Sequence, residues 1–340
     1  MNSRATLAAL GSLLVACTSA SATTYTLRAD GTGDFATLAA AFAAVVDGDE
    51  VVLEPGTYAE NSLSLNAGIT LRSSNGDAAT TVIDGEGLSY ILHAQGATGL
   101  AIENVGFRRG YYNWGSGISI DYCTAQVSGC LFFEGDCPPN GPGYESRGSA
   151  AYVWESTATF SGCTFRDNGQ GETVFADGGS TTFDHCLFVG NATGGLVSYS
   201  WPNPTFVTNC TFVDNARFGL QDRSGAGIIV ENTIVTGTTN GPALDISCNS
   251  FPASTFSCCD VYDNEWGDWE DCLDYYLGRD GNVSVSPLFC DAATGDYTLS
   301  SGSPCTDAAS GCGTIGAFGV GCGTISVESR SWSSLKADWR

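Results

Sequence analysis

Five side chains fall at the same point of successive repeating units: Asp121, Trp154, Asp177, Tyr199 and Arg223. They follow from aligning Ile118-Ser-Ile-Asp121, Ala151-Tyr-Val-Trp154, Val174-Phe-Ala-Asp177, Leu196-Val-Ser-Tyr199 and Leu220-Gln-Asp-Arg223. Alternation along each segment turns its large apolar residues inward and places these five on one outward row. Two carboxylates among Asp121, Asp177 and Asp222 could serve as acid and base in cleaving a glycosidic bond. Arg223 could take the proton next to an acid group, as a polysaccharide lyase requires. The rings of Trp154 and Tyr199, two units or roughly 10 Å apart, together with Trp201, offer flat faces for stacking against sugars. The competing reading is an ordinary solvated strand face of mixed character.

A second concentration of chemistry lies at Asp260, Asp263, Glu265, Asp268, Glu270, Asp271 and Asp274, interleaved with Trp266, Trp269, Tyr275 and Tyr276. Oxygen ligands in such a loop permit Ca²⁺, with Asp260, Asp263, Asp268 and Asp271 as ligand candidates, although no known calcium-loop spacing is present and a solvated acidic loop is the alternative. No cofactor is required by any of these readings. With only His93 and His185 in the chain, a histidine-based triad has little support.

What positions these groups is a repeat. Val105, Cys130, Cys163, Cys186, Cys210, Thr233 and Cys259 form one column, with steps of 25, 33, 23, 24, 23 and 26 residues. Three residues earlier stand Ile102, Val127, Phe160, Phe183, Val207, Val230 and Phe256. Two residues later stand Phe107, Phe132, Phe165, Phe188, Phe212, Val235 and Val261. A period near two dozen with three short apolar runs per unit predicts one turn of a parallel β-helix. The slot before the cysteine column holds Asn104, Gly129, Gly162, His185, Asn209, Asn232 and Cys258, and is dominated by residues that accept a left-handed backbone, so it is read as a corner. Stacking at about 4.8 Å then turns the columns into ladders, an aromatic one of Phe and a small buried one of Cys.

The ends of such a solenoid need covers. Thr37 to Val46, with Leu38, Ala41, Phe42 and Val45 on one face and Gly48 as a stop, predicts a short amphipathic capping helix. The expected organisation is a signal peptide over 1–22, an N-terminal strand and helix cap over 23–60, coils over 61–271, a disulfide-rich C-terminal cap over 272–325, and a tail over 326–340 with Trp332, Leu335 and Trp339 at helical spacing.

Arg4, the apolar stretch Ala5 to Ala16 and Ala20-Ser-Ala22 read as a secretion signal cleaved after Ala22. Leu14-Val-Ala-Cys17 also fits a lipoprotein cleavage box, so lipidation at Cys17 or the C-terminal tail are the two routes left open to a membrane. Without Cys17, 14 of the 15 cysteines remain, an even number that favours some disulfides in an exported protein. The column cysteines are read as buried small hydrophobes, the alternative being a vertical run of bridges. Outside the column, Cys123 with Cys137, Cys248 with Cys258, Cys272 with Cys290, and Cys312 with Cys322 would each close a short loop, leaving Cys305 unassigned.

Net charge narrows the partners. The full chain carries −24, and loss of Arg4 with the signal takes this to −25, a field that repels nucleic acid, anionic membranes and uronate polymers unless a cation intervenes. A neutral polysaccharide or cell-surface component is the easier ligand for a monomeric secreted or surface protein. The Pro- and Gly-rich insertion from Glu134 to Gly148 is a further candidate contact region.

The unit tails Phe165-Arg-Asp-Asn168, Phe188-Val-Gly-Asn191 and Phe212-Val-Asp-Asn215 resemble the F-x-x-N repeats of bacterial surface β-helix proteins. Asp30-Gly-Thr-Gly-Asp-Phe35-Ala-Thr-Leu38 and Glu54-Pro-Gly-Thr-Tyr58 resemble the opening of pectinesterases and other members of the pectin-lyase-like superfamily. Ser286 to Cys322, with Pro287-Leu-Phe289, Gly295-Asp-Tyr297 and Ile315-Gly-Ala317, is similar to the closing module of secreted β-helix proteins that carry assorted C-terminal anchors. These resemblances imply an all-β, single-stranded right-handed parallel β-helix. They do not carry an activity across: Gln221-Asp222 is the nearest echo of the paired pectinesterase motifs, no Arg-Pro-Trp occurs, and Asp184-His185, the echo of a pectate lyase Asp-His, occupies a corner slot.

Overall fold

The computed structural model describes residues 21–139, 146–223, 225–248 and 254–323. The leader with Cys17, the centre of the Glu134–Gly148 insertion and the tail beyond 323 lie outside the described residues.

Among the described residues the chain winds through three long parallel sheets of ten, nine and eight strands, in which each strand pairs with its counterparts one coil before and one coil after. Coiling is already under way at Glu50–Leu53, Gly56–Ala59 and Leu63–Leu65, which enter the ten-, nine- and eight-stranded sheets in turn. The columns read from sequence are the registers of these sheets. Val127 pairs with Ile102 and Phe160, and Phe160 with Phe183, in the ten-stranded sheet. In the nine-stranded sheet Phe107, Phe132, Phe165, Phe188 and Phe212 stack with ring centroids 5.0, 4.9, 4.6 and 4.4 Å apart and planes within 13°.

The corner between these two sheets is left-handed at every position expected, with φ from 48° at Asn232 to 59° at Gly129 and 51° at His185. The bend breaks the strand ladder, and the column residue that follows repairs part of the loss. Cys163 Sγ donates to Ser161 O of its own coil and Val127 O of the preceding one, and Cys130, Cys186, Cys210 and Cys259 repeat the pattern. Thr233 fills the slot with its hydroxyl on Glu231 O at 2.9 Å. A small side chain carrying one donor is what the position selects, so cysteine and threonine interchange there. Burial pushes the thiols of Cys130, Cys163 and Cys186 well above their ordinary range, which keeps them protonated as donors.

The Asn of F-x-x-N builds a third ladder inside the opposite corner. Asn191 Nδ2 donates to Phe165 O and to Asn215 Oδ1, while Asn191 Oδ1 accepts from Asn168 Nδ2 at 2.9 Å. All three asparagines are buried, so each amide satisfies backbone that the bend leaves open.

At the N-terminal end the capping helix α1 (Leu38–Phe42) is shorter than the predicted span. Thr37 caps it, Glu60 accepts from the Leu38 and Ala39 amides, and Leu38, Ala41, Phe42 and Val45 are buried against the core. At the other end Trp269, Leu273 and Tyr276 close over Phe256.

The segment 286–323 does something else: it folds back along the outer flank of the nine-stranded sheet. There Leu299, Cys305 and Ile315 cover Ile234, while Tyr297, with Phe289 and Phe318, covers Leu187 and Val213. The Gly316 amide reaches Asn232 O and the Ala317 amide reaches Thr211 Oγ1.

The four short-loop disulfides expected from sequence are not formed. The bridges are Cys248–Cys272, Cys258–Cys312 and Cys290–Cys322, while Cys123, Cys137 and Cys305 are free and buried. The pairing follows the fold: Cys248 and Cys272 are 24 residues apart, one coil, and the 54-residue separation of Cys258 and Cys312 ties a corner to the returning segment. Nearness in a solenoid is vertical, which short-loop reasoning does not see.

Candidate functional site

The outward face of the eight-stranded sheet carries two side-chain rows, set by alternation along each strand. One runs His93, Ser119, Tyr152, Phe175, Val197, Gln221 and Asp245 through successive register pairs. The other runs Gln95, Asp121, Trp154 and Asp177, in the order expected from sequence. Tyr199 and Arg223 follow one residue beyond the last paired residues Ser198 and Asp222 of their coils.

This face is not simply solvated. Tyr152, Phe175 and Val197 join Phe218 in a buried cluster separate from the main core. Arg147 lies over it, its guanidinium carbon 4.6 Å from the Phe175 ring centroid, 5.4 Å from Trp114 and 5.8 Å from Tyr199.

Beside that cluster opens a cleft of ≈ 380 Å³ lined by Tyr90, His93, Tyr112, Trp114, Ser119, Asp121, Tyr152 and Trp154. The strands supply its floor. His93 Nε2 lies 2.9 Å from Asp121 Oδ2, and Ser119 Oγ donates to Asp121 Oδ1 at 2.8 Å. Tyr112 and Trp114 come from the connection between Gly106–Arg108 and Ile118–Asp121, which doubles back so tightly that a Cβ at Gly110 would collide with the Ser116 carbonyl. The walls brace one another edge to face, Tyr90 on Tyr112 at 5.3 Å and Trp114 on Tyr152 at 5.4 Å. Trp154 packs on exposed Tyr122 at 4.8 Å, so an aromatic pair forms the rim.

Only Asp121 and Trp154 among the sequence-derived candidates line this cleft. Asp177 sits behind it, accepting from Tyr152 OH at 2.7 Å and Arg147 Nη1 at 3.0 Å. Burial, with the hydrogen bond to Asp177, pushes the Tyr152 phenol up. Asp222 is buried and accepts from Ser254 Oγ at 3.1 Å, and Arg223 is paired with Glu172 at 2.9 Å. Tyr199 is exposed beyond the cluster, and Trp201 is 69% exposed and does not line the cleft. His185 pairs with Asp184 at a corner, the structural place its slot implies.

The acidic residues near the C-terminal end go to separate surroundings. Asp260 is buried under the returning segment, accepting from Val285 N at 3.0 Å and Cys305 Sγ at 3.2 Å. Asp263 holds a corner at φ 56°, Asp268 caps Asn264 and receives Ser284 Oγ, and Asp271 begins a turn of 3₁₀ helix. Among the described residues no group of three or more His, Cys, Asp or Glu side chains is gathered as a metal would need.

The repeat itself places His93 beside Ser119. Extending the alignment one coil back from Ile118 gives Leu92-His-Ala-Gln95, which puts His93 beside Ser119 and Gln95 beside Asp121. Tyr112 and Trp114 carry no such signal, because they lie on a connection outside the repeat.

A parallel β-helix with a ring-walled cleft on one flank is the class of molecule these features define. Residues 89–286, more than half of the chain, match the family described as right handed beta helix region, and the chain belongs to it. Among solved structures it is similar to pectin methylesterase PemA from Erwinia chrysanthemi, with 12% identity over 83% of this chain and 99% of that one and a TM-score of 0.50. Pectate lyase Pel9A is also similar, at 14% identity over 89% and 97% of the two chains and a TM-score of 0.46. At 12% identity the likeness to PemA speaks for the fold alone. No curated protein matches.

Proposed function

We propose that this protein is a secreted or surface-attached β-helix that binds glycan in the cleft between Tyr90 and Trp154, without turning it over. The observation that carries the reading is the convergence of five aromatic side chains on a floor of three hydrogen-bonding ones. Sugar rings present apolar C–H faces to aromatic walls and hydroxyls to polar groups, so such a cleft suits them better than a wholly apolar ligand. A chain charge of −24 and the Asp121 carboxylate disfavour polymers rich in acid groups. The absence of turnover is supported by how Asp177, Asp222 and Arg223 are engaged: each is tied to protein partners, and none of the three lines the cleft.

One contact favours a second reading. His93 and Asp121, hydrogen-bonded in an accessible cleft, have the geometry of a proton-transferring pair in a hydrolase or lyase. Affinity electrophoresis over a panel of neutral, amino and uronic polysaccharides, run beside assays for reducing sugar and unsaturated product, tests both. Retardation lost in Trp154→Ala with no product is the expected result. Product formation abolished by His93→Gln would replace the binding reading with the enzymatic one.

A further inference from the structure

The same cleft sets a little-exposed carboxylate among aromatic walls. We infer that it selects a protonated amino sugar, a pyranose carrying a free ammonium group, over its neutral or N-acetylated counterpart; this rests on the glycan-binding reading and sharpens it. Asp121 is buried on the cleft floor, only 9% exposed, and both contacts at its carboxylate come from groups with no required charge, the His93 imidazole and the Ser119 hydroxyl. Each carboxylate oxygen keeps further acceptor capacity. A carboxylate with little exposure therefore opens into a cavity walled by five aromatic rings.

That combination favours a cation on two counts. The carboxylate can take a charge-assisted hydrogen bond from an ammonium group, and ring faces attract the same charge through their quadrupoles. Among the contacts at Asp121 there is no arginine or lysine, and Arg147 is engaged with Asp177 and with the rings behind the cleft. A quaternary ammonium headgroup would use the rings but has no N–H to give to the acceptor capacity left on Asp121. An amino sugar uses both, its ammonium on Asp121, its ring on the walls and its hydroxyls on His93 and Ser119. The volume, ≈ 380 Å³, is at the small end of the roughly 300–1,000 Å³ typical of ligand pockets, matching a short saccharide segment.

Calorimetric titration of the full chain with a glucosamine tetramer, an N-acetylglucosamine tetramer and choline tests this. The expected result is binding of the glucosamine tetramer at least about tenfold tighter than the acetylated one at low salt, with the gap narrowing as salt screens it. In Asp121→Asn, checked for native circular dichroism, the difference between the two tetramers should vanish. The salt dependence of the unaltered protein gives the same information should that variant fold poorly. Equal binding of both tetramers would overturn the amine preference while leaving glycan binding intact. No binding of either tetramer would overturn both, and choline binding as tightly as the amino sugar would assign the cage to quaternary ammonium groups instead.

Discussion

Two flanks of the same solenoid present outward apolar residues, and only one of them keeps an open cleft. On the nine-stranded sheet Leu187, Val213 and Ile234 are covered by the segment 286–323 and sealed with disulfides. On the eight-stranded sheet Tyr152, Phe175 and Val197 are buried with Phe218 beneath Arg147, but the neighbouring coils that carry His93, Asp121 and Trp154 are left as an open cleft. A solenoid hides its inward residues by stacking, so every outward apolar residue needs either a lid from its own chain or a reason to stay accessible. The first flank therefore reads as structure and the second as a site.

If so, equivalent truncations on the two flanks should behave differently. The largest effect is expected for Ile234→Ala, which empties a fully buried position under the returning segment and should cost about 2–4 kcal/mol in chemical denaturation, with glycan binding unchanged. Removing the Cys258–Cys312 bridge as a double Ser variant should cost about 2–4 kcal/mol and raise binding of a hydrophobic dye as the segment lifts. Dye binding that stays flat would mean that the covered flank does not depend on that tether.

Asp260 supplies a pH test of the same flank. Burial beneath the segment raises its carboxyl from 3.8 to about 6. Because the folded value lies above the unfolded one, the protonated form fits the fold. Its contribution is fully present below about pH 4 and is lost as pH rises towards 6. Asp260→Asn, which imitates the protonated acid, should be more stable than the parent at pH 7 by up to about 2–3 kcal/mol, a gap closing below pH 4. Denaturation midpoints of the two proteins at several pH values read this directly, and parallel curves would refute the buried-charge account.

The smallest stability change is expected on the open flank. Trp154→Ala removes a ring at the cleft rim that is 37% exposed, and should alter stability by less than about 1 kcal/mol while abolishing glycan binding.

Much of the fold is written in the repeat itself. Register, corners and ladders follow from the recurrence of Phe165, Cys163 and Gly162 and their counterparts, because stacking forces like onto like. The Asp121, Trp154 and Asp177 row was legible for the same reason. What the repeat does not encode is whatever leaves it. The connection bearing Tyr112 and Trp114 is bridged to the next coil at Tyr111–Asp136 and Trp114–Arg147 but carries none of the repeat's sequence columns, and Arg147, which holds Asp177, enters from the Glu134–Gly148 insertion. The disulfides are not legible in spacing, because Cys258 and Cys312 meet through a chain reversal across a flank. His93 does lie in the repeat, in register with Ser119 one coil earlier.

The account turns on where a saccharide sits. Hydrogen exchange of the full chain with and without saturating amino-sugar oligomer would locate it. Added protection confined to the segments around Tyr90–His93, Tyr112–Asp121 and Tyr152–Trp154 is the predicted footprint. Protection along the nine-stranded flank beneath residues 286–323, with none at those segments, would contradict it.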